Sequence, residues 1–149
     1  MRNLLFTMFL LLSSHSAYAC YDSGQSDKAN FDNCLPLAEQ GDVRAQYSLA
    51  LRYVNGQGVI QDYKQAVKWY RKAAEQGDAD AQNNLGAMYG NGQGVTQDYV
   101  LAHMWWNIAA SSGYKKATKN RDIVAKKMSP SQIEKAQDMA REWTAKHQN

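Results

Sequence analysis

Cysteine and histidine are scarce in this 149-residue chain. Beyond the N-terminal leader described below, the only histidines are His103 and His147 and the only cysteines are Cys20 and Cys34, too few partners for a metal site, and none is expected. There is no low-complexity stretch and no Pro/Gly/Ser-rich linker, which excludes a second tethered domain and extended disorder away from the two ends. After the leader no apolar run is long enough to stop transfer across a membrane, so no transmembrane segment is expected in the mature chain. The full chain is 44% hydrophobic and 21% charged, the balance of one ordinary globular domain.

The first residues read as an export signal. Arg2 supplies the positive region, "LLFTMFLLL" (4–12) a short apolar core, and "AYA" (17–19) small residues around a cleavage point after Ala19. Nine residues cannot cross a bilayer, which needs about 20. The leader is bacterial in style, and the expected location is periplasmic or secreted. The mature chain would start at Cys20, which opens two readings. A lipoprotein signal carries Leu three residues before the cysteine and small residues between, whereas here Ala17, Tyr18 and Ala19 stand there, and the bulky Tyr18 argues against lipidation. In an oxidising compartment Cys20 and Cys34 are more simply a disulfide, whose short loop contributes about 3 kcal/mol through chain entropy.

The chain repeats itself. With Gly41 aligned on Gly77, residues 41–76 and 77–112 agree at 18 of 36 positions, and Gly113 and Ala117 keep the same register in a third, divergent unit. Upstream, "LPLAEQGD" (35–42) matches "RKAAEQGD" (71–78), the tail of a preceding unit. A period of 36 residues is the length of a helix–turn–helix repeat stacked into a solenoid. In each first half Ala45, Leu49 and Tyr53, then Ala81, Leu85 and Tyr89, make one apolar helical stripe; in each second half Ala66, Trp69 and Ala73 are echoed by Ala102, Trp105 and Ala109. Asp42 and Asp78 are expected N-caps, Asp62 with Gln65 has capping-box spacing, and Gly41, Gly77 and Gly113 are left-handed stops for the helix before. "SPSQIEKAQDMAREW" (129–143) begins a last helix, with Ser129 as N-cap, Pro130 in the first turn, Gln132 reaching back, and Ile133, Ala136, Met139, Ala140 and Trp143 facing inward.

The glycine-rich words "YVNGQGVIQDY" (53–63) and "YGNGQGVTQDY" (89–99) fall between the two helices of each unit. A dinucleotide loop needs a preceding strand and the order G-x-G-x-x-G, and the chain offers neither. The stretch is therefore expected to be a joint, with Gly56 and Gly58 released into conformations closed to other residues and Val59 folding back onto the helix pair.

The pattern A-Q-x-x-L-G-x-M-Y-x-x-G-x-G-V-x-x-D-Y-x-x-A-x-x-W-x-x-x-A-A-x-x-G, clearest at 81–113, resembles the Sel-one-like repeat, a relative of the tetratricopeptide repeat, and the resemblance extends over about residues 35–143. It implies an all-α, right-handed α/α solenoid acting as a scaffold that binds a protein or peptide, often on its concave side; exported bacterial members are associated with envelope processes, host interaction and complex assembly. The expected organisation is a signal peptide (1–19), an N-terminal segment with a partial repeat helix (20–34), and a repeat domain (35–149) holding full repeats 41–76 and 77–112 and a divergent cap 113–146. In the cap Arg121 stands where Leu49 and Leu85 stood and Ala125 where the tyrosine was, as suits a terminal unit that presents polar surface to water.

The competing reading is a hydrolase directed at cell wall or a β-lactam. One small exported family with similar repeats has that link, but its members carry paired cysteines in every repeat, absent here. A single S-x-x-K, Ser112 to Lys115, straddles an inter-repeat turn, is of the kind chance supplies, and has no K-T-G or S-D-N beside it. His103 reads as a core or half-buried histidine, Met104, Trp105 and Trp106 as packing, and Glu39, Asp62, Glu75 and Asp98 as caps or solvated helix ends. No catalytic group and no cofactor is expected.

Charge is uneven: residues 20–112 hold 7 basic and 10 acidic residues, a balance of −3, and residues 113–149 hold 9 against 4, or +5. Export makes nucleic acid an implausible partner; the basic end is a solvated helix face or a contact for an anionic surface such as membrane head groups or an acidic protein. On the first helix of each unit, opposite the apolar stripe, Arg44, Tyr47 and Leu51 precede Asp80, Asn83 and Ala87; this side is either a peptide groove or simply solvated surface.

Overall fold

The computed structural model describes Cys20 and residues 24–147. Within them lie seven helices and no strand: α1 (Asp27–Glu39), α2 (Val43–Asn55), α3 (Tyr63–Glu75), α4 (Ala79–Asn91), α5 (Tyr99–Ser111), α6 (Lys115–Ala125) and α7 (Pro130–His147). The expected signal peptide falls outside the described residues.

Every helix but α6, whose N-cap Tyr114 makes no side-chain cap bond, starts where a short polar side chain takes up free backbone donors. The carboxylates of Asp42, Asp78 and Asp98 accept from the amides of Ala45, Ala81 and Leu101 at 2.8, 2.7 and 3.0 Å, and Asp62 accepts from Lys64 and Gln65. The box at the start of α7 is complete, with Gln132 Oε1 accepting from the Ser129 amide at 2.8 Å and Ser129 Oγ from the Gln132 amide at 3.3 Å. Helix ends behave likewise: Gly41, Gly77 and Gly113 have φ of 99°, 93° and 88°, closing the helix before each unit.

The glycine-rich joints turn one helix into the next. Gly56 and Gly92 end α2 and α4 in left-handed conformation, and the amides of Asp62 and Asp98 then bond back to the carbonyls of Tyr53 and Tyr89 at 3.0 Å each. The glutamine before each aspartate closes the same turn from its side chain, Gln61 on Val54 O at 2.7 Å and Gln97 on Gly90 O at 2.8 Å. The second glycine has a different task. A Cβ on Gly58 would collide with the Asp27 carbonyl at the start of α1, and one on Gly94 with the Tyr63 carbonyl at the start of α3, so each joint presses its backbone onto the preceding unit.

Stacking follows from these joints. α2 packs on α3 and α4 on α5 within units, while α1 on α2, α3 on α4 and α5 on α6 join neighbours. Small residues line the seams, with Ala38, Leu49, Ala66, Ala73, Leu85, Ala102 and Ala109 fully buried. Each buried leucine contributes about 1.5–3 kcal/mol from area removed from water. Polar ties cross the seams too: Gln46 Nε2 donates to Ala38 O and Gln82 Nε2 to Ala74 O, both at 3.1 Å, while Gln76 bridges Gln46 Oε1 and Gly41 O. The chain is a helical repeat solenoid.

The last hairpin does not close like the others. α7 packs along α5 and barely touches α6. Residues 126–129 carry no glycine joint, Arg121 stands in the place of the buried Leu49 and Leu85, and Thr118 stands in the place of Gln46 and Gln82, which tie α2 and α4 to the helix before. Trp143 instead meets Trp105 edge-on, with ring centroids 5.9 Å apart.

At the other end Cys20 is disulfide-bonded to Cys34 on α1, and both are buried. Arg52, itself buried, donates from Nη2 to the Cys20 carbonyl at 3.1 Å and from Nη1 to the Asp27 carbonyl at 3.3 Å.

Candidate functional site

The 36-residue period places three columns on α2, α4 and α6: Arg44, Asp80 and Lys116; Tyr47, Asn83 and Lys119; Leu51, Ala87 and Ile123. Arg44 and Asp80 are exposed, and Tyr47, Leu51 and Ala87 are half-buried. Asn83 departs from the sequence expectation of an open groove residue: it is only 8% exposed. Its Oδ1 accepts from Asn120 Nδ2 at 3.1 Å, its Nδ2 donates to Asn84 Oδ1, and its carbonyl accepts from Trp106 Nε1 at 3.0 Å. The side chain is short, and α6 closes over it; an asparagine whose groups are used internally offers little to a partner.

Around Asp80 the columns converge. Tyr114, at the entrance to α6, donates from its hydroxyl to Asp80 Oδ1 at 2.6 Å, and that bond, helped by burial, pushes the Tyr114 pKa up to about 12. Burial also raises the neighbouring Asp78 carboxyl, with the Ala81 amide and then the positive charge of Arg44 among the influences working the other way. Tyr47 lies tilted on Tyr70, centroids 5.8 Å apart, and the Tyr70 hydroxyl accepts from Asn84 Nδ2. Thus Arg44, Tyr47, Asp80 and Tyr114, from three successive units, form one polar and aromatic surface. Tyr114 was not among the groove residues expected from sequence; its 36-residue spacing from Asp78 was visible, but its reach back to Asp80 was not.

A second feature is the cleft left by the open hairpin, about 530 Å³ between α5, α6 and α7, with Ile108 and Ala140 among its apolar walls and Arg121 and Arg141 among its polar ones. Both arginines are engaged: Arg121 donates to Asn107 Oδ1 at 3.1 Å and to Asp122, and Arg141 pairs with Asp138.

The other residues singled out from sequence lie within helices or at their ends. His103 is buried with Nδ1 unpartnered, and burial, then the nearby Arg121, lowers its pKa, which favours the neutral ring. Ser112 Oγ donates to the Ala109 carbonyl at 2.7 Å at the end of α5. Met104, Trp105 and Trp106 are buried, and Asp62 and Asp98 are caps. Among the described residues no group of three histidine, cysteine or acidic side chains could hold a metal, and no helix is long and apolar enough to cross a membrane.

The Sel1 repeat family matches residues 43–78 and 79–114, beginning at or beside the first residues of α2 and α4. No curated protein matches the chain significantly. Among solved structures it is similar to a protective antigen present in uropathogenic Escherichia coli strains that displays an SLR fold (TM-score 0.82, 33% identity), covering 89% of this chain and 30% of that one. It is also similar to a Sel1 repeat protein from Oxalobacter formigenes (TM-score 0.69, 33% identity), covering 72% of this chain and 47% of that one. The chain thus spans less than half the length of either relative. Sel1-repeat folds are generally non-enzymatic scaffolds for protein–protein interaction. The repeated helix pairs, their caps and these matches together make the chain a member of the Sel1-like repeat family.

Proposed function

We propose that the protein is an exported scaffold, periplasmic or secreted, that binds a protein or peptide partner along the face formed by α2, α4 and α6. The observation that carries this reading is the meeting of Arg44, Tyr47, Asp80 and Tyr114 from three units on one surface, with Leu51 and Ala87 beside them. Aromatic and charged side chains next to partly exposed aliphatic ones are what peptide grooves use for anchoring and orientation. Export rests on the leader at 1–19 and on the Cys20–Cys34 disulfide, a bond that oxidising compartments sustain. The antigen character of the similar E. coli protein agrees with a role at the cell envelope or towards a host.

Pull-down from envelope extracts tests the surface. Replacing Tyr47 and Leu51 with Ser is expected to remove the partners held by the native protein; an unchanged set would rule the face out. Mass spectrometry of the exported product should place its N-terminus at Cys20 without lipid. Purified mature protein is expected not to hydrolyse nitrocefin or peptidoglycan.

A further inference from the structure

We propose that the outer face of α6, where Ile123 stands among lysines beside a small cleft, binds an acidic peptide segment bearing one aliphatic side chain. This deepens the scaffold reading and rests on it. Ile123 is 53% exposed, and among the described residues the only other large exposed hydrophobic is Ile60, in the joint between α2 and α3. Beside Ile123 opens a cleft of about 140 Å³, lined by Tyr99, Trp106, Asn120, Val124 and Lys127 as well as Ile123 itself. Its walls are fixed, since Trp106 Nε1 is bonded to the Asn83 carbonyl and Asn120 Nδ2 to Asn83 Oδ1. A rigid, aromatic-walled recess of this size suits one branched aliphatic side chain.

The charge around it is one-sided. Lys116 and Lys119 precede Ile123 by seven and four positions, spacings that share one face of α6, and Lys126 and Lys127 follow directly at its C-terminal end. Residues 113–129 hold six cations against Asp122 alone, and Asp122 is taken by Arg121 at 2.9 Å. Among the described residues Lys116, Lys119, Lys126 and Lys127 make no ion pair, while Lys127 Nζ lies 5.7 Å from the centre of the Tyr99 ring at the cleft. Unpaired like charges gathered along a helix and its C-terminal end repel one another, and an acidic partner relieves that repulsion as it binds. An anionic membrane would also relieve it. A single isoleucine beside a recess favours a side chain that enters, whereas a bilayer surface would want several large apolar groups on one plane.

Selection of random dodecapeptides displayed on phage, followed by fluorescence anisotropy with the labelled consensus peptide, tests the proposal on the folded protein. Enriched sequences should carry net negative charge and one Leu, Ile or Val. Lys119→Glu with Lys127→Glu should weaken binding about tenfold or more through like-charge repulsion, Ile123→Ser several-fold, and Ile60→Ser not at all; added salt should weaken binding. Neutral or basic consensus peptides, or Lys119→Glu/Lys127→Glu and Ile123→Ser proteins that bind like the native one, would overturn it. So would phosphatidylglycerol vesicles binding through these residues where peptides do not. All four substituted residues are exposed, and circular dichroism checks that the variants fold. The scaffold reading fails separately: if the Lys119→Glu/Lys127→Glu protein captures the same envelope partners and Tyr47→Ser/Leu51→Ser does not, only this surface is wrong.

Discussion

The indole of Trp106 lies against Gly86 so closely that a methyl group on that glycine would sit 2.8 Å from Nε1, the atom that donates to the Asn83 carbonyl. One period earlier the same two positions are Tyr70 and Ala50, both buried. The larger ring is matched by the smaller partner. Gly86→Ala is therefore expected to destabilise the fold by about 1–3 kcal/mol through overpacking, against the roughly 1 kcal/mol that alanine gains in helix propensity. Combining it with Trp106→Tyr, which recreates the first unit's pair, should recover part of the loss. Urea unfolding of the two single variants and the double variant measures that non-additivity.

Arg52 occupies, in the first unit, the place that Met88 and Val124 hold in the next two. It is buried because its guanidinium serves the carbonyls of Cys20 and Asp27. Arg52→Met should fit sterically and still cost about 1–3 kcal/mol, because the buried Cys20 carbonyl loses its donor. Thermal unfolding would show it, together with faster amide exchange in α1.

Cys34→Ser removes the bond that fastens Cys20 to α1. A loop of this length predicts a loss of about 3 kcal/mol, and the native protein under reducing conditions should show a comparable fall in melting temperature. If reduction leaves the melting temperature unchanged, Arg52 and packing hold the N-terminal segment without the disulfide.

His103 gives acid sensitivity. Burial lowers its pKa from the ordinary 6.5, with Arg121 adding to the shift and Asp122 opposing it. The unfolded chain therefore binds the extra proton first as pH falls, so this group's contribution is fully present above about 6.5 and is lost below that value. Stability measured from pH 8 to pH 5 should decline, and His103→Val, which installs the residue found one period earlier at Val67, should flatten that decline whatever it does to stability at pH 8.

Tyr114 works in the alkaline direction. Its hydroxyl bond to Asp80 raises the folded pKa to about 12 from 10.0, so the contribution holds below pH 10 and disappears as pH rises through about 12. Tyr114→Phe should remove the corresponding slope, read by denaturant unfolding between pH 9 and 12.

The parts legible in sequence are those whose physics is local. Asp42, Asp62, Asp78 and Asp98 cap because their carboxylates need only the next two or three amides, and the Ser129–Gln132 box closes within four residues. Of the stripes, Ala45, Leu49, Ala81, Leu85 and Tyr89 are buried as their spacing implied, and Tyr53 is half-buried. Gly58 was legible as a turn glycine but not as the seat of the Asp27 carbonyl, since that contact comes from another unit.

By itself, then, the sequence determined the helix pairs, their period and their caps, because each depends on groups a few residues apart. Only the tertiary structure decided that Asn83 is covered, that Arg52 reaches Cys20, and that α7 leaves α6 to lie on α5. Those outcomes depend on which distant surfaces find complementary shape and hydrogen-bond partners, and a periodic pattern carries no record of that competition.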